Sequence, residues 1–238
     1  MSVDARIARG GALAAWALFF VVLWGTGATG RYLGSRTQWV VPFGAVVLTL
    51  AVLAYAYGYL RARRSASVLT LREAVSLFAL LLPLAAVVLA PHAALGSFAA
   101  SRKGGGAFFL SMRPAPPASP ADVSFLDIRE AEGGEDFADE AGIHSGLRVR
   151  LLGFVTGSKY VPAGTFELAR FYIACCVADA LPVGVPIDGS ALHRGRFRRD
   201  SWLQVTGSLE HRGKRLVVVA DRIVHVSEPS HPYLSFRT

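Results

Sequence analysis

Cysteine is nearly missing from this chain: 238 residues contain two, and they are adjacent, Cys175 and Cys176. That number excludes a disulfide framework and a zinc site built from cysteine alone. Acidic residues are scarce too, but only in the first half. Residues 1–120 hold 2 Asp+Glu against 11 Lys+Arg, whereas residues 121–238 hold 15 against 14. Also missing are a phosphate-binding glycine loop, a Ser/His/Asp arrangement and a pair of carboxylates spaced for acid–base work, so no enzyme is expected. Charged residues make up only 18% of the chain and the mean hydropathy is +0.41, too apolar for an ordinary soluble domain.

What is there instead is apolar runs. Gly11 to Ala28 is free of charge, as are Trp39 to Leu60 and Ala74 to Ala90. Each is long enough, or nearly so, to cross a hydrocarbon core of about 30 Å as a helix. Arg6 and Arg9 before the first run also suit a signal peptide. Its end, Trp24-Gly-Thr-Gly-Ala-Thr-Gly30, has no Ala-x-Ala cleavage pattern, and further runs follow, so a retained span is expected. Tyr55, Tyr57 and Tyr59 close the second run, where amphipathic rings favour the interface, and Ala54 and Gly58 offer a small-xxx-small face. Pro83 sits in the third.

The pI near 10 comes from arginines flanking these runs, a pattern of membrane topology and not of a nucleic-acid groove. Arg6, Arg9, Arg61, Arg63, Arg64 and Arg72 lie on one side; Arg31, Arg36, Arg102 and Lys103 lie on the other. The positive-inside bias makes the first side cytoplasmic and puts the C-terminal half outside.

Residues 1–100 are therefore expected to form a membrane domain with spans at about 11–28, 39–60 and 74–90. Residues 101–121, with Gly104-Gly-Gly106 and Pro114, Pro116, Pro117 and Pro120, read as a linker. Residues 122–145 read as an acidic, partly helical lead-in. From Asp122 to Glu140 it has eight acidic residues and one basic; the spacing is not that of a calcium loop, and a solvated face is expected.

From Gly146 the period changes to two. Leu147, Val149, Leu151 and Val155 alternate along a first strand, Phe166 to Val177 forms a second, and Val183 to Ile187 a short third. Ser201 to Leu209 and Arg215 to Val226 follow, joined by a turn around His211-Arg212-Gly213. Five antiparallel strands without a long helix predict a small all-β, OB-like barrel over residues 146–238. Such barrels often bind single-stranded nucleic acid. This half is nearly neutral, so Arg194, Arg196, Arg198 and Arg199 read as a solvated loop or docking surface.

The candidate site is the cysteine pair. On a regular strand, Phe171, Ile173, Cys175 and Val177 share the apolar face, so Cys175 is expected in the core and Cys176 on the accessible face. Adjacent sulfurs then point apart, which disfavours a disulfide. Both can reach one metal only if the chain turns near Ala178-Asp179, with Asp179 and a histidine completing the set. None of His92, His144, His193, His211, His225 and His231 has ligand spacing to the pair. Structural cysteines, metal ligands (Cys175, Cys176, Asp179) and a redox thiol remain as three readings.

Gly153-Phe-Val155, Arg170-Phe-Tyr-Ile-Ala-Cys-Cys-Val-Ala-Asp-Ala180, Trp202-Leu-Gln-Val-Thr-Gly207 and Pro229-Ser-His-Pro-Tyr-Leu234, placed after three spans, resemble the YcgQ-type family. These are bacterial membrane proteins described as subunits of a two-component permease. The resemblance implies a polytopic permease subunit as partner, a place in the bacterial inner membrane and, more weakly, a link to a transition metal such as zinc. If the family's motif binds a ligand, Cys175, Cys176 and Asp179 are the matching positions here. The function expected is thus a non-catalytic accessory subunit. A membrane-anchored redox protein using Cys176, or a structural envelope protein, is the alternative.

Overall fold

A computed structural model describes residues 4–61, 69–89, 95–102, 117, 119, 122–157, 160–162, 164–192 and 196–234, with backbone alone for 160–162. The glycine triplet and most prolines of the expected linker, Arg63, Arg64, Lys103, Arg194, His92 and His193 lie outside them. The chain divides into two compact units, Met1–His92 and Ala93–Thr238.

The first unit holds three helices, α1 (Ala5–Gly25), α2 (Val40–Arg61) and α3 (Leu71–Leu89). All three are long and apolar enough to cross a membrane. Helix α1 starts earlier than its apolar run because Asp4 caps it, accepting the Arg6 N–H at 3.0 Å. It stops at Gly25, where Thr26 folds back on Val22 and Gly27 turns left-handed. Small residues let α2 approach α1: a Cβ on Gly44 would sit 2.8 Å from the Phe20 ring. The Tyr55 hydroxyl donates to the Arg6 carbonyl at 2.9 Å, and Arg9 pairs with Glu73 of α3. The remaining surface is apolar. Leu50, Leu53, Phe78 and Leu89 are exposed, and α3 buries no residue. An exposed apolar patch of that extent marks a surface for protein or lipid contact.

The second unit is a β-barrel with short helices against it. In chain order it contains α4 (Ser97–Arg102), α5 (Phe125–Gly133), α6 (Glu135–Glu140), β1 (Arg148–Val155), β2 (Tyr160–Pro162), β3 (Thr165–Tyr172), β4 (Leu181–Asp188), β5 (Arg196–Arg198), β6 (Trp202–Arg212), β7 (Arg215–His225) and β8 (Tyr233–Leu234). The barrel order is β1-β6-β7-β4-β3, and β3 returns to β1 through Phe154↔Ala169 and Val155↔Leu168. Five strands close on themselves in a Greek-key, OB-type path, which leaves no free edge. One seam departs from the antiparallel expectation: β4 and β7 run parallel at Ile187↔Val218 and Asp188↔Val219. The third and fifth strands of the barrel meet after a crossover rather than a hairpin, which is why. The short β2 and β5 pair with each other, and β8 lies parallel to β3.

Alternation fills the interior. On β4, Val183, Val185 and Ile187 point in, and on β6, Leu203, Val205 and Leu209 do. The interior is completed from outside the strands. Phe125, Leu126, Ile128 and Ala131 of α5 and Phe137 of α6 join the same buried cluster. The acidic lead-in therefore has two faces: Glu135, Asp136, Asp139 and Glu140 are exposed, while an apolar stripe packs into the barrel core with Asp127 buried beside it. A box of Ser124 and Asp127 starts α5, and the Glu132 carboxylate accepts the Leu216 N–H at 2.8 Å.

A second apolar cluster lies on the outer face of β1 and β3. Phe154 and Phe171 stack at 5.6 Å, and Trp202 meets Phe154 edge-on. Leu95, Ala99 and Ala100 cover it, and the Asp200 carboxylate accepts the Ser97 N–H at 2.6 Å. The segment around α4, placed with the membrane domain by the sequence reading, thus belongs to the barrel unit.

At the bulge between Thr206 and Gly207, β6 and β7 come so close that a Cβ on Gly207 would lie 2.1 Å from the Val219 carbonyl oxygen. That atom is backbone and has little room to move. Gly207→Ala is expected to destabilise the protein by about 1–3 kcal/mol through forced overpacking. A thermal melt of the purified variant checks this, and an unchanged melting temperature contradicts the close approach.

Candidate metal centre

Strand β3 ends at Tyr172, and the chain re-enters the sheet at Leu181, its register partner. Residues 173–180 between them carry the cysteine motif. Ile173 stays buried, its N–H donating to the Leu234 carbonyl at 3.3 Å. The next three N–H groups leave the ladder together. Ala174 donates to Asp179 Oδ1 at 3.1 Å, Cys175 to Oδ2 at 2.7 Å and Cys176 to Oδ2 at 3.2 Å. The Asp179 N–H returns to the Cys176 carbonyl at 3.0 Å, making one short 3-10 turn over Val177–Asp179. Ala180 is then buried and β4 begins.

One carboxylate thus holds three successive backbone donors and folds the loop around itself. This corrects the sequence reading in one respect. The second strand does not run on to Val177, so strand alternation does not reach the cysteines. Cys175 is exposed instead of packed in the core, and Cys176 is half-buried. The turn also comes sooner than Ala178: it begins at Ala174, where Asp179 captures the backbone.

The same turn brings the candidate ligands together. Cys175 Sγ, Cys176 Sγ and a carboxylate oxygen of Asp179 all lie within 4.8 Å of one another. Neither cysteine is in a disulfide. Such a group could hold a metal ion. Local desolvation, then the charges of Cys176 and Asp179, push the Cys175 thiol up from its ordinary value. It therefore keeps its proton at neutral pH, which makes it a poor nucleophile until a cation displaces that proton.

Among the described residues no histidine joins the cluster. The His144 ring lies against the Ser145 carbonyl, and the His225 ring packs on Phe197. Position 211 contributes its backbone N–H to Ser145 Oγ. His231 is used through its carbonyl, which together with that of Pro232 accepts the Arg170 guanidinium. Burial lowers the Arg170 pKa, yet the group stays a cation and ties the chain before β8 to β3. This role of the first residue of the motif, and Asp179's role as brace, went unread in the sequence. The only available signal was Asp three residues after Cys176, a capping spacing hidden by the strand reading.

Elsewhere on the barrel a groove of about 940 Å³ runs past Thr156, Glu167, Gly184, Arg199, Lys214 and Arg215. Its walls carry both signs of charge. Arg199 is paired with Asp200 at 3.5 Å, and Arg196 and Arg198 are exposed on β5.

Residues 132–235 match the family model described as the DUF1980 C-terminal domain. The match begins inside α5, takes in the whole barrel and the cysteine loop, and is consistent with the YcgQ-type resemblance. No curated protein matches the chain.

Proposed function

We propose that the chain is a non-catalytic accessory subunit of a bacterial inner-membrane permease. In this reading α1, α2 and α3 sit in the bilayer and bind a polytopic partner. The barrel lies outside the cytoplasm and presents Cys175, Cys176 and Asp179 to a transition metal in transit. The observation that carries it is two thiols and a carboxylate gathered in an exposed turn of a chain that also has three helices fit to cross a membrane. Soft thiolates select transition metals, and an exposed site exchanges its ion readily, as a carrier must. The mixed charge of the groove speaks against nucleic acid as a ligand, because tracking phosphates takes an excess of cations.

A second reading is a membrane-anchored thiol protein working through Cys176, favoured by two neighbouring thiols outside any disulfide. The raised pKa of Cys175 weighs against it, since redox cysteines gain from a depressed one.

Purification of the tagged full chain from membranes in mild detergent tests the proposal. A polytopic protein should come with it in fixed ratio, and the pair should retain a transition metal under reducing conditions. Recovery of the chain alone, without metal, from membranes where it is abundant overturns the subunit reading.

A further inference from the structure

Resting on the metal-handling reading above, we infer that the ion is a soft monovalent one, copper(I) in type, held by Cys175 and Cys176 alone, and that Asp179 positions the loop without ligating. A carboxylate offers roughly four acceptor positions on its two oxygens. Three are taken by the N–H groups of Ala174, Cys175 and Cys176. Those bonds hold the turn that brings the sulfurs together, so a metal that drew Asp179 away would undo its own site. One lone pair of Oδ1 stays open, but a lone position on a carboxylate already tied to three N–H groups is a weak donor beside two thiolates, so the ion is held by the sulfurs.

Zinc is a poor fit to that set. It takes four ligands in closed sites and at least three protein ligands in open ones. Two-coordinate binding between thiolates is instead a habit of soft d10 monovalent ions, and thiolate softness selects them. The span does not stand against this: the sulfurs lie within 4.8 Å of each other, and two metal–sulfur bonds of about 2.3 Å set end to end reach about 4.6 Å. Binding breaks two S–H bonds, forms two metal–sulfur bonds and releases two protons. No electron moves, so no oxidant is needed.

The test uses the full chain in detergent with a phosphine reductant. Copper(I) is titrated against bathocuproine disulfonate and zinc(II) against a colorimetric chelator. X-ray absorption at the copper edge then counts the donor atoms. One copper(I) per chain is expected, with two sulfurs and no oxygen around it, and affinity above that for zinc by a factor of about 1,000 or more. Cys175→Ser and Cys176→Ser should each weaken copper(I) binding by about 100-fold or more, and Asp179→Asn by no more than about tenfold. An oxygen donor beside the sulfurs, or zinc bound as tightly as copper(I), overturns the inference and leaves the metal-handling reading standing. Should Asp179→Asn lose its fold, the donor count on the unaltered protein still decides. Uptake of neither ion overturns both.

Discussion

Phe125→Ala is expected to be the most damaging single substitution in the barrel unit, lowering stability by about 3–5 kcal/mol. The ring is 2% exposed and belongs to the cluster formed by the inward residues of the barrel. It comes from α5, so the truncation opens a cavity between that helix and the barrel interior. The barrel wall is shaped for it: at Gly153 a Cβ would sit 2.9 Å from the far edge of the Phe125 ring and 2.6 Å from the Ala169 carbonyl oxygen. Ile128, fully buried one turn later, should behave similarly at about 2–5 kcal/mol for Ile128→Ala. Chemical denaturation of the full chain in detergent, followed through the Trp202 environment, measures both. A Phe125→Ala protein as stable as the parent means that α5 is not part of the core. The same packing bears on fragments. One that begins at residue 140 leaves out Phe125, Leu126, Ile128 and Phe137 and should aggregate, whereas one that begins at Ala93 retains them.

That plug shows where a sequence is readable and where it is not. The strands β1, β4, β6 and β7 were legible because alternation is a local signal: Val183, Val185 and Ile187 announce a buried face without reference to the rest of the chain. The three apolar helices were legible for the same reason, since length and absence of charge suffice. The role of α5 was not, because eight acidic residues between 122 and 140 dominate its composition. Its apolar stripe is only visible as core once the barrel has an open end to receive it. The docking of Leu95, Ala99 and Ala100 was hidden likewise: alternation read Phe171 and Ile173 as facing the core, whereas they lie on the outer face of β3, in the cluster that these residues cover. At the candidate site the residue types were found and their placement was not. Alternation put Cys175 in the core, and a single carboxylate, Asp179, overrode it by capturing three N–H groups that a strand would have used. A side chain that competes with the sheet for backbone donors is a local effect, but its outcome depends on whether a partner strand offers more.

The exposed turn makes the orientation of the protein measurable. Cys175 and Cys176 are the only thiols in the chain, and Cys175 is exposed, so any cysteine label reports the barrel and nothing else. With the barrel outside the cytoplasm, a membrane-impermeant maleimide added to intact spheroplasts should label the protein as fully as it does after the membrane is opened. Labelling only after opening inverts the orientation inferred from the arginines. The rate should depend on pH in a stated direction. Thiolate is the reacting form, and the Cys175 thiol is pushed above its ordinary value by desolvation and by the Cys176 and Asp179 charges. Labelling should therefore be slow near neutrality and rise with pH through a range higher than that of an ordinary free cysteine, about 8.5. Asp179→Ala removes one of those charges and the brace of the loop, and should shift the rise to lower pH while costing about 1 kcal/mol of stability, as loss of a cap does. A bound thiophilic ion should suppress labelling at every pH, because both sulfurs are then occupied. Labelling that ignores added copper(I) and zinc(II) alike, in a protein whose barrel is intact, leaves the two thiols without a metal to serve.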